Sequence, residues 1–334
     1  MSTISIVVPV YQNAPNLEST VPKLLGLKDT LKEKHELELV FVDDGSTDRS
    51  FEILKKFAKL FPKEIVLVRL SRNFGQSPAI QAGLTHSRGD CAAIISADLQ
   101  DPYEEIPTMV RRWEEGAKYV LAYRQARSEN RRHQFVSNLY WRMVARFGLP
   151  GFPETGYDFC LLDRQLISDI SRIGEKNTSI FPLIYWLGYR PVCIPINRAE
   201  RTAGKSQWNF MRKLRLTLDT LIGFTYVPVR AITYSALGTA LCSFLYLSFV
   251  LVRWLIKGSP VQGWTSLILV MLLLGSITLF SLGIICEYLW RVLDEARKRP
   301  PFIVDCVIQP RPQQAVQKER RVRGKKQREG IHVQ

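Results

Sequence analysis

Two stretches of this 334-residue chain contain no Asp, Glu, Lys, Arg or His: residues 231–252 and 261–286. An apolar helix needs about 20 uncharged residues to cross the hydrocarbon core of a bilayer. Both runs are long enough, so an ordinary soluble domain does not describe the whole chain. The mean hydropathy is close to zero, but it averages two regimes. Residues 1–226 alternate apolar and charged segments as a globular domain does. The spacing predicts two transmembrane helices within 227–290, at about 231–252 and 263–286, joined by the short connection Arg253–Pro260. A hairpin of this kind returns the chain to its starting side.

Charge orients the hairpin. Lys and Arg number 46 against 31 Asp and Glu, a net +15. The segment 291–334 alone holds twelve basic and five acidic residues. Counting positive charge near the spans puts the N-terminal domain and this tail on the cytoplasmic side of the cell (inner) membrane, as a multi-pass protein. Arg253 and Lys257 on the far side are outweighed. Because the tail follows a span, anionic lipid is its expected partner, at on the order of 1 kcal/mol per basic residue near the surface. Nucleic acid is not. Beyond about 310 the composition predicts disorder. Small residues within the runs (Gly238, Ala240, Ser243, Gly275, Ser276, Gly283) permit close helix approach, and a homo-oligomer is expected. The six cysteines form no Cys-x-x-Cys pair, which argues against a zinc or redox motif and for free thiols in a reducing compartment. No basic segment precedes the apolar run Ile4–Val8, so a signal peptide is not expected.

The first 207 residues read as one α/β domain. Predicted strands are Ile4–Val8, Leu37–Val42, Ile65–Leu70, Cys91–Ser96 and Tyr119–Tyr123. Helices are predicted at Asn16–Leu31, Asp48–Leu60, Ser77–Ser87 and Glu104–Glu115. Strands separated by helices predict a parallel, Rossmann-like sheet covered on both faces, with ligands beyond the carboxyl ends of its strands. Those ends carry Pro9-Val10-Tyr11, Asp43-Asp44, Ser71-Arg72-Asn73 and Ser96-Ala97-Asp98. Two amphipathic helices with basic faces are also predicted, Arg131–Phe147 and Trp208–Phe224. The second fills residues 208–226, just before the first span, where an interfacial helix is expected.

The densest chemistry lies at Ser96–Pro102, SADLQDP. In an extended segment Ser96, Asp98 and Gln100 share a face. A carboxylate beside an amide oxygen at a strand end suits a hard divalent cation that bridges phosphates; a helix-capping turn is the structural alternative. VDDGSTD at Val42–Asp48 closes the second strand with two carboxylates able to accept from a base N–H and a ribose hydroxyl, while Asp48 can serve simply as a cap.

The order of these parts resembles the inverting family 2 glycosyltransferases of GT-A fold. The matching segments are VVPVY at Val7–Tyr11, VDDGS at Val42–Ser46, SRNFGQSPAIQAG at Ser71–Gly83, SADLQDP, GYDFCLLDR at Gly156–Arg164 and ERTAGKSQW at Glu200–Trp208. With the paired spans, the resemblance narrows to the polyisoprenyl-phosphate glycosyltransferases, which include dolichyl-phosphate mannose synthases and bacterial undecaprenyl-phosphate glucosyltransferases. It covers residues 4 to about 300. It implies an α/β GT-A nucleotide-sugar domain with a Rossmann-like mixed sheet, followed by interfacial amphipathic helices and a two-helix transmembrane hairpin. It also implies transfer of a sugar from a nucleotide donor, UDP-glucose or a related UDP-hexose, to polyprenyl phosphate.

The same resemblance assigns roles. Pro9 and Tyr11 line the base pocket, Asp43 contacts the base and Asp44 the ribose. Ser96 and Asp98 belong to the nucleotide-sugar site, and Asp98 and Gln100 hold Mg²⁺ or Mn²⁺ on the donor diphosphate. Asp158 sits near the reacting sugar and, with Asp98, forms the catalytic pair. Arg201, Lys205 and Ser206 touch phosphates. Apart from the resemblance, the cations Arg124 and Arg131 are available for the acceptor phosphate, a solvated face or lipid-headgroup contact being the alternative. The chain departs from the family at Ser96, where Asp is frequent, at Gln12-Asn13 in place of Asn-Glu, at Cys160 in place of Arg, and at Gln207 in place of Lys. Together these changes point to an altered donor or, as the alternative, an inactive relative. No Gln-x-x-Arg-Trp occurs, which argues against a processive polysaccharide synthase. A glycan or protein acceptor, and a non-catalytic membrane scaffold, are the alternatives.

Overall fold

The computed structural model describes residues 1–31, 34–124, 149–153, 157–175, 179–196, 227–257 and 264–309. Eight strands form one mixed sheet: β1 (Ser2–Val10), β2 (His35–Asp43), β3 (Ile65–Leu70), β4 (Cys91–Ile94), β5 (Tyr119–Arg124), β6 (Phe159–Asp163), β7 (Val192–Ile196) and β8 (Val304–Ile308). Their order is β7-β5-β6-β4-β1-β2-β3-β8. The pairs β4–β1, β1–β2, β2–β3 and β5–β7 are parallel, while β6 runs antiparallel to both β4 and β5, and β8 antiparallel to β3.

Period-two alternation in apolar strands builds two cores, one on each face. Ile4, Ile6 and Val8 of β1 with Leu39 and Phe41 of β2 pack under α1 (Ala14–Leu31), α2 (Ser50–Leu60) and α4 (Ile106–Glu114). Val7, Val40, Val42, Val66 and Val68 pack under α3 (Gln76–His86), α5 (Arg164–Ser171) and α6 (Ile180–Trp186). Pro9 is tolerated inside β1 for a local reason. Val7 accepts from Ile95 N–H on the β4 side at 3.1 Å, and Pro9, two residues on, faces that side after the β4 ladder has ended at Val7–Ile94. Its missing N–H therefore leaves no ladder bond unmade.

Two long helices follow, α7 (Val227–Lys257) and α8 (Trp264–Ala296). At 1.5 Å per residue each is longer than the ~30 Å hydrocarbon core. Their apolar side chains, such as Leu237, Leu241 and Phe244 of α7 and Met271, Leu279 and Phe280 of α8, are exposed. Among the described residues one segment, Leu273–Ala296, is long and apolar enough to cross a membrane, and α7 carries the shorter apolar stretch Ile232–Tyr246. Part of what the sequence reads as tail is sheet. Val304–Ile308 pairs along the free edge of β3, and Phe302, Val304 and Val307 pack on the second core. The predicted helices at Arg131–Phe147 and Trp208–Phe224, and the tail beyond 309, lie outside the described residues.

Candidate active site

The sheet brings its polar strand ends to one edge. Strands β1 to β5 and β7 all run toward it, and β6 starts from it.

At the end of β2, Asp43 is fully buried and Asp44 is 3% exposed. Oδ1 of Asp43 accepts from Ser46 N–H at 3.3 Å, closing the turn. Burial pushes the Asp43 carboxyl up, against the Ser46 hydrogen bonds and the Arg69 charge that pull it down. Asp44 accepts from the backbone N–H groups of Phe74 and Gly75, one to each oxygen, both at 2.8 Å. Burial raises it to about 6, with Asp43 adding to the rise and those two amides opposing it. Asp44 thus ties the β2 turn to the 71–75 loop. Gly45 makes that approach possible: its φ is +64°, and a Cβ there would meet the backbone of Arg72 and Asn73.

The β1 turn is stitched to the same structure. Ser46 Oγ accepts from Gln12 N–H at 3.0 Å, Gln12 Nε2 donates to Thr47 Oγ1 at 3.1 Å, and Asn13 N–H donates to Ser50 Oγ at 2.9 Å. Gln12 is left-handed, φ +50°. Asp48 accepts from Ala14 N–H at 3.2 Å and Ser50 N–H at 3.0 Å, so it joins the two turns; the N-cap position of α2 itself is Arg49, not Asp48.

Beyond β4, Ser96 Oγ donates to Asp98 Oδ1 at 2.8 Å, and Gln100 N–H approaches the same oxygen at 3.4 Å. Between them Leu99 is also left-handed, φ +47°, a conformation that costs an L residue about 1–2 kcal/mol. Thr20 Oγ1 of α1 donates to Ala97 O at 2.8 Å and anchors the segment from below. Strain held in place by such anchors is a mark of functional loops. Gln100 and Asp101 are buried.

Asp158 immediately precedes β6. Ile94 is opposite Cys160 in the antiparallel β4–β6 ladder, and continuing that register sets Asp158 opposite Ser96. Its neighbour Tyr157 is locked beneath it, hydrogen-bonded to Tyr119 Oη and donating to Phe181 O. Cys160 is buried in the sheet, where burial pushes its thiol well up, so the residue in the family's Arg position is an inert core thiol. Arg124 is the last residue of β5, at the same edge. Arg131, Arg201, Lys205 and Ser206 lie outside the described residues.

The donor set at the β4 end is all oxygen: a carboxylate, an amide and a hydroxyl. That suits a hard cation which keeps waters and shares phosphate oxygens. Among the described residues no cluster of three or more His, Cys, Asp or Glu is placed to hold a metal ion. The residues fit an ion whose remaining ligands come from a diphosphate.

Residues 5–170 match the family model "Glycosyl transferase family 2". The uncharacterized glycosyltransferase YkcC of Bacillus subtilis (strain 168) is 36% identical over 301 residues, 90% of this chain and 92% of that protein. The chain belongs to glycosyltransferase family 2. Two further relatives of this glycosyltransferase carry more specific names. The bactoprenol glucosyl transferase of Shigella phage SfV is 34% identical over 304 residues, 90% of this chain and 97% of the relative. The prophage bactoprenol glucosyl transferase homolog of Escherichia coli (strain K12) is 34% identical over 305 residues, with 90% and 98% covered.

The sequence did not reveal Thr20, Tyr157 or Leu99 as parts of this site, and it flagged Gln12 only as a departure from the family pattern, not as a left-handed residue. The first two act through long-range hydrogen bonds. Gln12 and Leu99 have types that do not announce φ > 0.

Proposed function

We propose that this family 2 glycosyltransferase moves a hexose, with inversion, from a UDP-sugar such as UDP-glucose to polyprenyl phosphate at the cytoplasmic face of the cell membrane. One observation carries the reading: the edge that gathers the carboxylates is also the edge from which the chain leaves for its apolar helices. β7 ends there before α7, and α8 returns there to β8, whose first residue, Val304, is opposite Leu70 at the end of β3. The β5–β6 connection, which contains the first basic amphipathic segment, leaves from that edge too. A lipid phosphate held at the bilayer surface therefore has a short path to the site. The names of the bactoprenol relatives support the same acceptor and a glucosyl donor.

In this reading Pro9 and Tyr11 line the base pocket, and Asp43 and Asp44 form the floor of its base and ribose subsites. Asp98 and Gln100, with Ser96 orienting the carboxylate, would hold Mg²⁺ or Mn²⁺, which when bound neutralises charge on the departing nucleoside diphosphate. The nucleophile is a lipid phosphate oxygen. With a second pKa near ~6 it is largely ionised at neutral pH, so no strong base is required. Asp158 then orients the sugar and the incoming oxygen. The bond from the anomeric carbon to the lipid phosphate forms as the bond to the diphosphate breaks, and an α-linked donor gives a β-linked product. The difficulty is holding two anions together, which Arg124, Arg131, Arg201, Lys205 and Ser206 relieve. The paired helices α7 and α8 anchor the enzyme as a hairpin, and the assembly is a homo-oligomer.

The test is a transfer assay on the purified full-length protein in detergent, with undecaprenyl phosphate, a panel of UDP- and GDP-sugars, and Mg²⁺ or Mn²⁺ against an EDTA control. A metal-dependent glycolipid from one UDP-hexose is expected. Nucleotide binding without any lipid product would overturn the acceptor, and a GDP-sugar product would overturn the donor.

A further inference from the structure

Asp43 has a second oxygen to account for. Oδ1 serves the Ser46 turn, while Oδ2 is buried and accepts no hydrogen bond among the described residues. A buried anionic oxygen of this kind is strongly destabilised unless a positive charge stands beside it. Arg69 supplies one, with Nε 3.6 Å from Oδ2.

The pairing is built by the sheet. Asp43 and Arg69 are directly opposed in the parallel β2–β3 register, so their side chains share a face. The Arg69 guanidinium lies 4.3 Å from the centroid of Phe51 on α2, which sets its plane. On the other side Cys306 of β8 is opposite Arg69. The backbone is pinned just beyond, where Ser71 N–H donates to Ile303 O at 2.9 Å. Without β8, β3 would be an edge strand. From Asp43 the connection continues through Ser46 N–H, then from Ser46 Oγ to Gln12 N–H, beside Tyr11.

We propose that Arg69, held by Phe51 and β8, is a positioning residue of the donor site: through Asp43 it fixes the Ser46 turn and the Tyr11–Gln12 wall against which the nucleotide base packs. This rests on reading the β2 end as the donor pocket.

The groups facing Asp43 set the expected pH behaviour. They are Asp44 and Asp48 of its own turn, Arg69 of β3 and Cys306 of β8, with Lys55 of α2 at the Cys306 end of the row. Burial raises the Asp43 carboxyl and Arg69 opposes the rise. Removing Arg69 therefore lets Asp43 take up a proton at higher pH, and the turn loosens as pH falls.

Calorimetric titration of UDP with Mn²⁺ into the full-length protein in detergent tests this. For Arg69→Gln the Kd for UDP is expected to rise about tenfold near pH 6 and less near pH 8. Arg69→Lys, which keeps the charge, is expected to recover most of the loss. In turnover, donor KM rises while kcat at saturating donor stays unchanged. Unchanged UDP affinity in Arg69→Gln at both pH values overturns the proposal, as does an equal loss at both that Arg69→Lys does not repair. Should Arg69→Gln fail to fold, Phe51→Leu, which releases the guanidinium from the ring that holds it, decides: UDP affinity that drops more steeply than in the wild type as pH falls supports the proposal, and a parallel profile overturns it. If the wild-type protein binds no UDP, the donor-site reading itself falls and this inference with it.

Discussion

Gly45 is the point where the two loops of the donor side touch. A Cβ at this position would lie 2.5 Å from Arg72 C, 2.7 Å from Arg72 Cα and 2.8 Å from Asn73 N, all backbone atoms that cannot rotate away. Gly45→Ala therefore acts in two ways. The left-handed φ of +64° costs an L residue about 1–2 kcal/mol. Relieving the contact then pushes the 71–75 loop off the turn and stretches the Phe74 and Gly75 hydrogen bonds to Asp44, each a charged bond worth about 1.5–3 kcal/mol. We expect a stability loss of about 3 kcal/mol and a donor KM raised about tenfold. Gly116→Ala is the control. Its φ is +100° with nothing within 4 Å of the new Cβ, and it precedes β5 at the opposite edge of the sheet, so it carries the backbone cost alone. Thermal unfolding in detergent and donor KM should both separate the two variants. If Gly45→Ala matched Gly116→Ala in melting temperature and left donor KM unchanged, the loop contact would not be what shapes the site.

Asp98→Ala should nearly abolish metal-dependent transfer while leaving membrane insertion intact; normal turnover in that variant would remove Asp98 from the metal site. Asp158→Asn should lower kcat far more than donor affinity, and a pure loss of UDP binding would move Asp158 away from the reacting centre. Asp44 carries a pH signature: burial raises it from 3.8 to about 6, so the folded protein keeps a proton that the unfolded chain has already released. Its contribution is full below about pH 4 and is lost as pH rises through about 6, on the order of 3 kcal/mol in all. The stability of the wild type relative to Asp44→Asn should fall over that window, and a flat difference in urea unfolding would refute the burial argument. Ending the chain after Gln309 should spare transfer, measured with undecaprenyl phosphate in detergent; loss of activity there would give the basic tail a catalytic part.

Much of the sheet was legible because its central strands are long apolar runs buried on both faces. Ile65–Leu70 is bounded as the sequence predicts, and β1 and β2 run slightly longer at both ends. The predicted strand Cys91–Ser96 stops at Ile94, since Ile95 onward turns toward the site. The predicted helix Glu104–Glu115 begins with a 3₁₀ turn, Tyr103–Glu105, before α4 starts at Ile106. The strands β6, β7 and β8 are five residues each. A run as short as Val304–Ile308, which contains Asp305, has no periodicity to distinguish it from a loop. It becomes a strand because β3 offers an open edge, and a partner remote in sequence leaves no local trace. The site divides in the same way. Paired carboxylates at strand ends announce themselves by type and place. That Asp44 spends both oxygens on backbone amides, or that Arg69 stands opposite Asp43, depends on register, which only the folded sheet fixes.

The return of the chain into its own sheet constrains how the enzyme meets a bilayer, independently of any charge count. Seven residues separate the end of α8 from β8, and fully extended they reach at most about 25 Å. Any bilayer that α8 crosses therefore has the carboxyl edge, with Asp98 and the β2 turn, on the side where α8 ends. β8 then carries the chain away from that edge. It runs antiparallel to β3 and finishes at Ile308, and the next residue, Gln309, accepts from Arg88 at 3.0 Å, beside the start of β4. Gln309, the last of the described residues, thus lies at the end of the sheet opposite the carboxylates. The sequence places the basic tail at the membrane because it follows a span; the fold inserts the strand β8 between the two. For the proposed lipid-phosphate acceptor, the segments that follow β5 and β7 start at the carboxylate edge, whereas Gln309 is at the opposite end of the sheet, so cations in the former begin nearer to the site.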